Sequence, residues 1–294
     1  MAVDKSMDRN DQGTQAQAAV LVRRSVPCAN EILIRTLAAM FILLTCQPLC
    51  LNAQFDMIVF EKRPPQARSR GELDAVLDIL QATDQETIVS LCAEFRQKFP
   101  ASELAGQVYR MEMHAYGRLD DYKRMIEAGE KALEVSAHDV DALLSLANAI
   151  PNGVSDLTPA SVALLGNAEV YARKALDEID RLKATRGVSL DRWRSLTGRM
   201  RSSGREALGF IAFKRGRYAE SVAEFEKSIG LNPGAGGAVF FRLGVAYLYD
   251  GKPLEAQVAL ERSSQLGPEF IRTKAKEQLA MIGKKNTPSK MSVP

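Results

Sequence analysis

One spacing governs what this chain can fold into. Between Arg205 and Pro268 the same pattern is written twice. The first copy reads Leu208-Gly209, Gly216, Tyr218, Phe225, Pro233, and the second reads Leu243-Gly244, Gly251, Pro253, Leu260, Pro268. Every position recurs after 35 residues. A period of a few tens of residues marks stacked supersecondary units, each too small to bury its apolar face alone. Within the first copy, Leu208, Ile211 and Ala212 fall on one helical stripe, and Tyr218, Val222, Phe225 and Ile229 on another. Gly209 is small where the partner helix must come close. Gly216 permits the left-handed turn that commonly ends a helix, and Pro233 stops the second helix because proline cannot continue its hydrogen-bond ladder. The second copy repeats this with Phe240, Leu243, Tyr247, Ala256 and Leu260. Phe270 to Ile282 then reads as a solitary capping helix, with Lys274, Lys276, Glu277 and Lys284 on its wet side, followed by a short tail to residue 294.

The Leu-Gly, aromatic and Pro spacing resembles the tetratricopeptide repeat, closely over 205–268 and loosely over 105–183. An extra residue in the Gly234-Ala235-Gly236-Gly237 turn accounts for a period of 35 where that family has 34. The resemblance implies an all-α fold: an α-solenoid of helical hairpins whose first helices line a groove for a peptide or helix of another protein. It also implies which residues face that groove: Glu206, Phe210, Phe213 and Lys214, then Phe241, Arg242, Val245, Leu248 and Tyr249. The best-understood groove of the family clamps a C-terminal carboxylate with Lys and Asn. Here Glu206 and Phe210 stand at those clamp positions, so that activity is not carried over.

Upstream of the repeats, residues 71–104 read as N-terminal helices. Leu73, Val76, Leu77 and Leu80 open them, and Ile88, Leu91, Cys92 and Phe95 share a later apolar face. On that face Cys92 reads as packed, and Ser102, after Pro100, reads as the cap of the next helix. Tyr109, Met113 and Tyr116 begin a degenerate hairpin whose partner carries Met125, Ile126, Ala132 and Leu133. Another first helix runs from Val140 to Ile150, and a loop at 151–160, marked by Pro151 and Pro159, interrupts the array. Residues 184–204 read as a basic linker or helix. Across Arg181 to Arg205 eight Lys/Arg face one acid, Asp191, beside the single tryptophan, Trp193. That strip is either a solvated helix face or a docking strip for anionic partners.

The first 53 residues form a leader. Arg23, Arg24 and Arg35 precede an apolar run from Leu37 to Cys46 that is shorter than the roughly 20 residues a spanning helix needs. Positive flank, short apolar core and a small residue at Ala53 fit a secretory signal peptide cut before Gln54. Translation starting at Met7, a signal anchor retained at 36–51, and lipidation at Cys46 or Cys50 are the alternatives, although the residues before both cysteines match a lipoprotein box poorly. Residues 54–70, with Pro64-Pro65, read as a linker.

Composition narrows function further. A net charge of +3 argues against a dedicated nucleic-acid binder. His114 and His138 are the only histidines, too few for a typical zinc or histidine-based catalytic centre, and no phosphate loop or nucleophile-elbow motif is present. The expectation is therefore a non-enzymatic scaffold of the cell envelope, without cofactor or metal, that binds a protein partner. Intact-mass measurement of the natively expressed protein should find the N-terminus near Gln54; a mature chain that begins at Met1 or Met7 overturns the leader assignment.

Overall fold

A computed structural model describes residues 65–184 and 187–286. The leader and most of the linker lie outside the described residues. The described residues form eleven helices and no strand. These are α1 (Arg70–Gln81), α2 (Gln85–Lys98), α3 (Ala105–Arg118), α4 (Tyr122–Val135), α5 (Val140–Gly153) and α6 (Pro159–Arg181). The array continues with α7 (Leu190–Lys214), α8 (Tyr218–Leu231), α9 (Gly237–Tyr249), α10 (Pro253–Leu266) and α11 (Glu269–Asn286). Each helix packs on the next in sequence, and α5–α7, α7–α9 and α9–α11 also touch. That contact pattern is a stack of antiparallel hairpins with α11 closing one end: an α-solenoid. No described helix is long and apolar enough to cross a membrane.

The turns explain the regularity. Gly216 and Gly251 sit at φ 72° and 76°, in the left-handed region where a β-carbon is penalised. Asp120 holds the same conformation, φ 56°, in the turn between α3 and α4. Each of these turns is closed by the same backbone bond, from Arg217 N to Ala212 O (2.9 Å), Lys252 N to Tyr247 O (2.9 Å) and Asp121 N to Tyr116 O (3.0 Å). This six-to-one closure satisfies a carbonyl that the helix end leaves open. The weak hairpin at 105–135 therefore has the geometry of the two clear ones.

Close approach within a hairpin is handled by pairing a small residue with a large one. A β-carbon on Gly209 would lie 2.9 Å from the Phe225 ring, and one on Gly244 would lie 2.7 Å from Leu260. In the α3–α4 hairpin the volumes are exchanged. Met113 stands at the position of Gly209, and Gly129 at the position of Phe225, where a β-carbon would come 2.9 Å from Met113 Sδ. Phe225, Leu260 and Met113 are all fully buried.

Several boundaries differ from the sequence reading. The loop expected at 151–160 shrinks to 154–158, because Pro151 is buried in the last turn of α5. Pro159 is the first residue of α6, where the missing N–H has no helical partner to lose, and Thr158 and Ser161 form a capping box beside it. The basic segment expected as a linker or helix at 184–204 is helical from Leu190 and runs unbroken into the first helix of the repeat as α7. Met200 is buried on its inner side, and Leu196 packs against the same cluster. Ser102 does not cap α3, which starts at Ala105. Its hydroxyl instead donates to the buried Glu72 carboxylate and accepts from Leu104 N. As expected, Cys92 is packed; it is fully buried, and burial pushes its thiol up to about 12.

Gly237 offers a direct test of the stack. A β-carbon there would fall 2.3 Å from Gly267 N and 2.9 Å from Ser263 O, backbone atoms that cannot swing aside. Gly237→Ala should therefore cost about 1–3 kcal/mol in denaturant unfolding, the range for overfilled packing. Gly230→Ala, which meets nothing within 4 Å, should be neutral or stabilise by up to about 1 kcal/mol.

Candidate partner-binding surfaces

The residues expected in the groove are brought together by α7 and α9, but most are not offered to a partner. Phe210, Phe213, Phe241 and Val245 are buried, Phe241 to 1% exposure. They share one core cluster with Val222 and Phe225 of α8 and Ala256 and Leu260 of α10. Arg242 pairs with the Glu206 carboxylate, and both side chains are largely buried. The Arg242 guanidinium also lies 5.2 Å from the Phe210 ring centroid, and Lys214 Nζ lies 5.3 Å from it. Lys214 donates to Val154 O at 2.6 Å, which draws the 154–158 loop over the end of α7. Phe213, Tyr218 and Tyr249 cluster as a trio with centroids 4.9 to 5.4 Å apart, Phe213 meeting both tyrosines edge to face. Phe210, Phe213 and Phe241 are thus core residues rather than aromatic anchors. Lys214, Arg242, Leu248 and Tyr249 keep partial exposure.

A second surface was missed by the sequence reading. Beside α10 a cleft of about 620 Å³ is floored by Phe240, Leu243 and Tyr247 of α9, with Val258 and Ala259 of α10 on its wall. Glu255, Glu261 and Arg262 also line it. The Tyr247 hydroxyl donates to Glu226 on α8. Burial raises the pKa of this tyrosine, and Glu226, Glu255 and Asp250 add to the shift, a sign of locally negative potential. Next to the cleft, Leu254 and Val258 stand 71% and 68% exposed. The signal was available: α10 carries apolar residues on two faces, Ala256 and Leu260 inward and Leu254 and Val258, one turn apart, outward.

With this geometry in hand, comparison with known proteins is informative over one stretch. The family model described as tetratricopeptide repeat matches residues 205–234. The chain contains a tetratricopeptide repeat. No curated protein matches the chain. Among solved structures, BtubC from P. vanneervenii is 18% identical, with 75% of this chain and 83% of that one covered and a TM-score of 0.47. MamA is 13% identical over 74% of this chain and 99% of its own, with a TM-score of 0.45. Acl4, titled an assembly chaperone of RpL4, is 14% identical over 76% and 78%, with a TM-score of 0.46.

The repeat fixes where the remaining charged groups lie. Part of the basic strip is answered by acids. Arg201 of α7 pairs with Asp180 of α6 at 2.9 Å and Arg205 of α7 with Glu224 of α8 at 3.1 Å, while Arg181 pairs with Glu178 on its own helix, α6, at 2.8 Å. These pairs weaken its reading as a docking strip for anions. Away from the repeat, His114 Nε2 lies 2.8 Å from Asp141 Oδ2 and ties α3 to α5. Burial works against the Asp141 carboxylate, yet His114 and Arg110 outweigh it and hold its pKa below the ordinary value. Ser145 also helps to lower the Asp141 pKa. No group of acids, histidines and cysteines able to hold a metal occurs among the described residues.

Lys214 makes the closed end of the groove testable. Burial lowers its ammonium to about 8, against the opposing pull of Asp156. The unfolded chain keeps that proton up to about pH 10.4. Between pH 8 and 10 the unfolded state binds more protons, so this group makes stability rise with pH. Tyr218 and Tyr249, whose pKa values burial raises, oppose this from about pH 9 upward, but they do so equally in both proteins and cancel in the difference. Denaturant unfolding at pH 7 to 10 should show wild-type stability rising relative to Lys214→Met between pH 8 and 10. A flat difference would mean the amine is solvated.

Proposed function

We propose that the chain is a non-enzymatic scaffold of the cell envelope that captures a partner protein on α10 and the adjoining cleft. The observation that carries this reading is the exposed Leu254–Val258 pair beside an aromatic-floored cleft, since exposed apolar surface rimmed by polar groups marks interaction sites. The rim decides the kind of partner. Glu255 and Glu261 line the cleft with Arg262, Glu226 adjoins it through Tyr247, and Lys252 interacts with Glu226 and Glu255. Acids outnumber cations, so the fitting ligand is an amphipathic helix or peptide with apolar side chains flanked by Lys or Arg. Three apolar floor residues give such a ligand somewhere to insert its own side chains. The buried state of Phe210, Phe213 and Phe241 moves the reading away from the groove between first helices, whose partly exposed members, Leu248 and Tyr249, serve as the control. Placement in the envelope is supported by the leader alone.

The test compares three proteins. Leu254→Ser combined with Val258→Asp should abolish capture of the native partner, at least tenfold in Kd, while the melting temperature barely moves, because both side chains are exposed. Tyr249→Ala should leave capture intact. Loss of capture in Tyr249→Ala with α10 intact would return the site to the groove between first helices. Capture that survives both changes would exclude both surfaces.

A further inference from the structure

The two ends of the stack differ in how their exposed apolar residues are spread. At the C-terminal end α11 buries Ile271, Ala275 and Ile282, and its exposed Phe270 (44%) and Met281 (37%) stand about three turns apart. At the other end α1 buries Val76 and Ile79 but leaves Leu73, Leu77 and Leu80 46%, 41% and 58% exposed. Those three leucines recur at i, i+4 and i+7, a single stripe about 10 Å long at 1.5 Å per residue. A helix apolar on both sides belongs inside a protein, not at its edge.

We infer that this stripe is the docking site of the chain's own segment Phe55 to Phe60. The segment reads Phe-Asp-Met-Ile-Val-Phe, with one polar residue in six. Its reach is sufficient: the nine residues from Glu61 to Ser69 span at most about 30 Å, and six extended residues cover about 20 Å. The point of departure is also fixed. Ala67 packs against the core under α1, the backbone N–H of Arg68 donates to Glu72, and that of Gln66 donates to Glu103 at 3.4 Å. The chain is therefore held at the N-terminal end of α1, next to Leu73. Charge agrees with this placement. Asp74 and Asp78 border the stripe, and Asp78 has no ion-pair partner among the described residues, while Lys62 and Arg63 follow the apolar segment. A second copy of the chain fits less well, because three half-exposed leucines fall far short of the roughly 800 Å² per partner that a stable interface buries. The inference holds whether or not the chain is cut before Gln54.

Replacing Leu77 by p-benzoylphenylalanine in the full chain, followed by irradiation and peptide mass spectrometry, tests the contact directly. The expected product is an adduct between α1 and residues 55–60 in a species of monomer mass. An adduct to a second copy, to another protein, or to any other part of this chain overturns the inference, as does the absence of an adduct. A second measurement does not depend on the photoprobe. Ile58→Asp combined with Val59→Asp should speed amide exchange across residues 73–81 by about tenfold or more while α9 and α10 keep their protection. Unchanged exchange in α1 would show that the stripe is not covered by this segment.

Discussion

The stack depends on how closely the two helices of a hairpin can approach. Where Gly209 meets Phe225 and Gly244 meets Leu260, the space one helix vacates is filled by the other. That fit lets the left-handed turns at Gly216 and Gly251 close with their six-to-one bonds. Interiors packed to crystal-like density penalise any mismatch in such a contact. Once each hairpin is fixed, the rotation between neighbouring hairpins follows, and with it whether the first helices leave a groove open or seal it. On α7 and α9 the rings of Phe210, Phe213 and Phe241 are buried in a core shared with α8 and α10.

Charge acts at a second level, in the spaces between hairpins. Arg96 holds Glu112 through two bonds at 2.7 and 3.0 Å between α2 and α3, Glu206 pairs with Arg242 between α7 and α9, and Glu169 meets Arg215 between α6 and α7. Such partly buried pairs give little net stability, because desolvation offsets attraction, but breaking one side leaves an uncompensated charge. Their effect is to set which surfaces may meet. The aromatic residues under Arg242 and Lys214 share this role, as cations lie over the Phe210 ring at 5.2 and 5.3 Å.

Much of the fold was legible because it rests on local rules. Period, turn glycines and terminal prolines place the end of α7 and all of α8 to α10 without reference to anything distant. What escaped the sequence depends on pairs of residues far apart in the chain. The α3–α4 hairpin looked degenerate because its small residue, Gly129, lies on the second helix and its large one, Met113, on the first. The charge run of α7 looked unbalanced because Asp180 and Glu224 lie on other helices. Of the residues expected in the groove, Phe210, Phe213, Phe241 and Val245 are buried by contacts with other helices, which the period does not encode. The α10 stripe was in plain view as two apolar faces on one helix, and was passed over because Ala256 and Leu260 already explained its repeat.

The exchange of volumes between Met113–Gly129 and Gly209–Phe225 gives the hairpins an identity. In an array of similar units, wrong partnering between helices of different repeats is a characteristic folding error. Here α3 paired with α8 would set Met113 against Phe225 and overfill the contact, while α7 paired with α4 would set Gly209 against Gly129 and leave a void. Both mismatches raise the energy of the incorrect partner, one by strain and the other by lost contacts. The swap therefore works as a lock and key within a single chain, keeping α3 and α4 from pairing with the helices of the α7–α8 and α9–α10 hairpins.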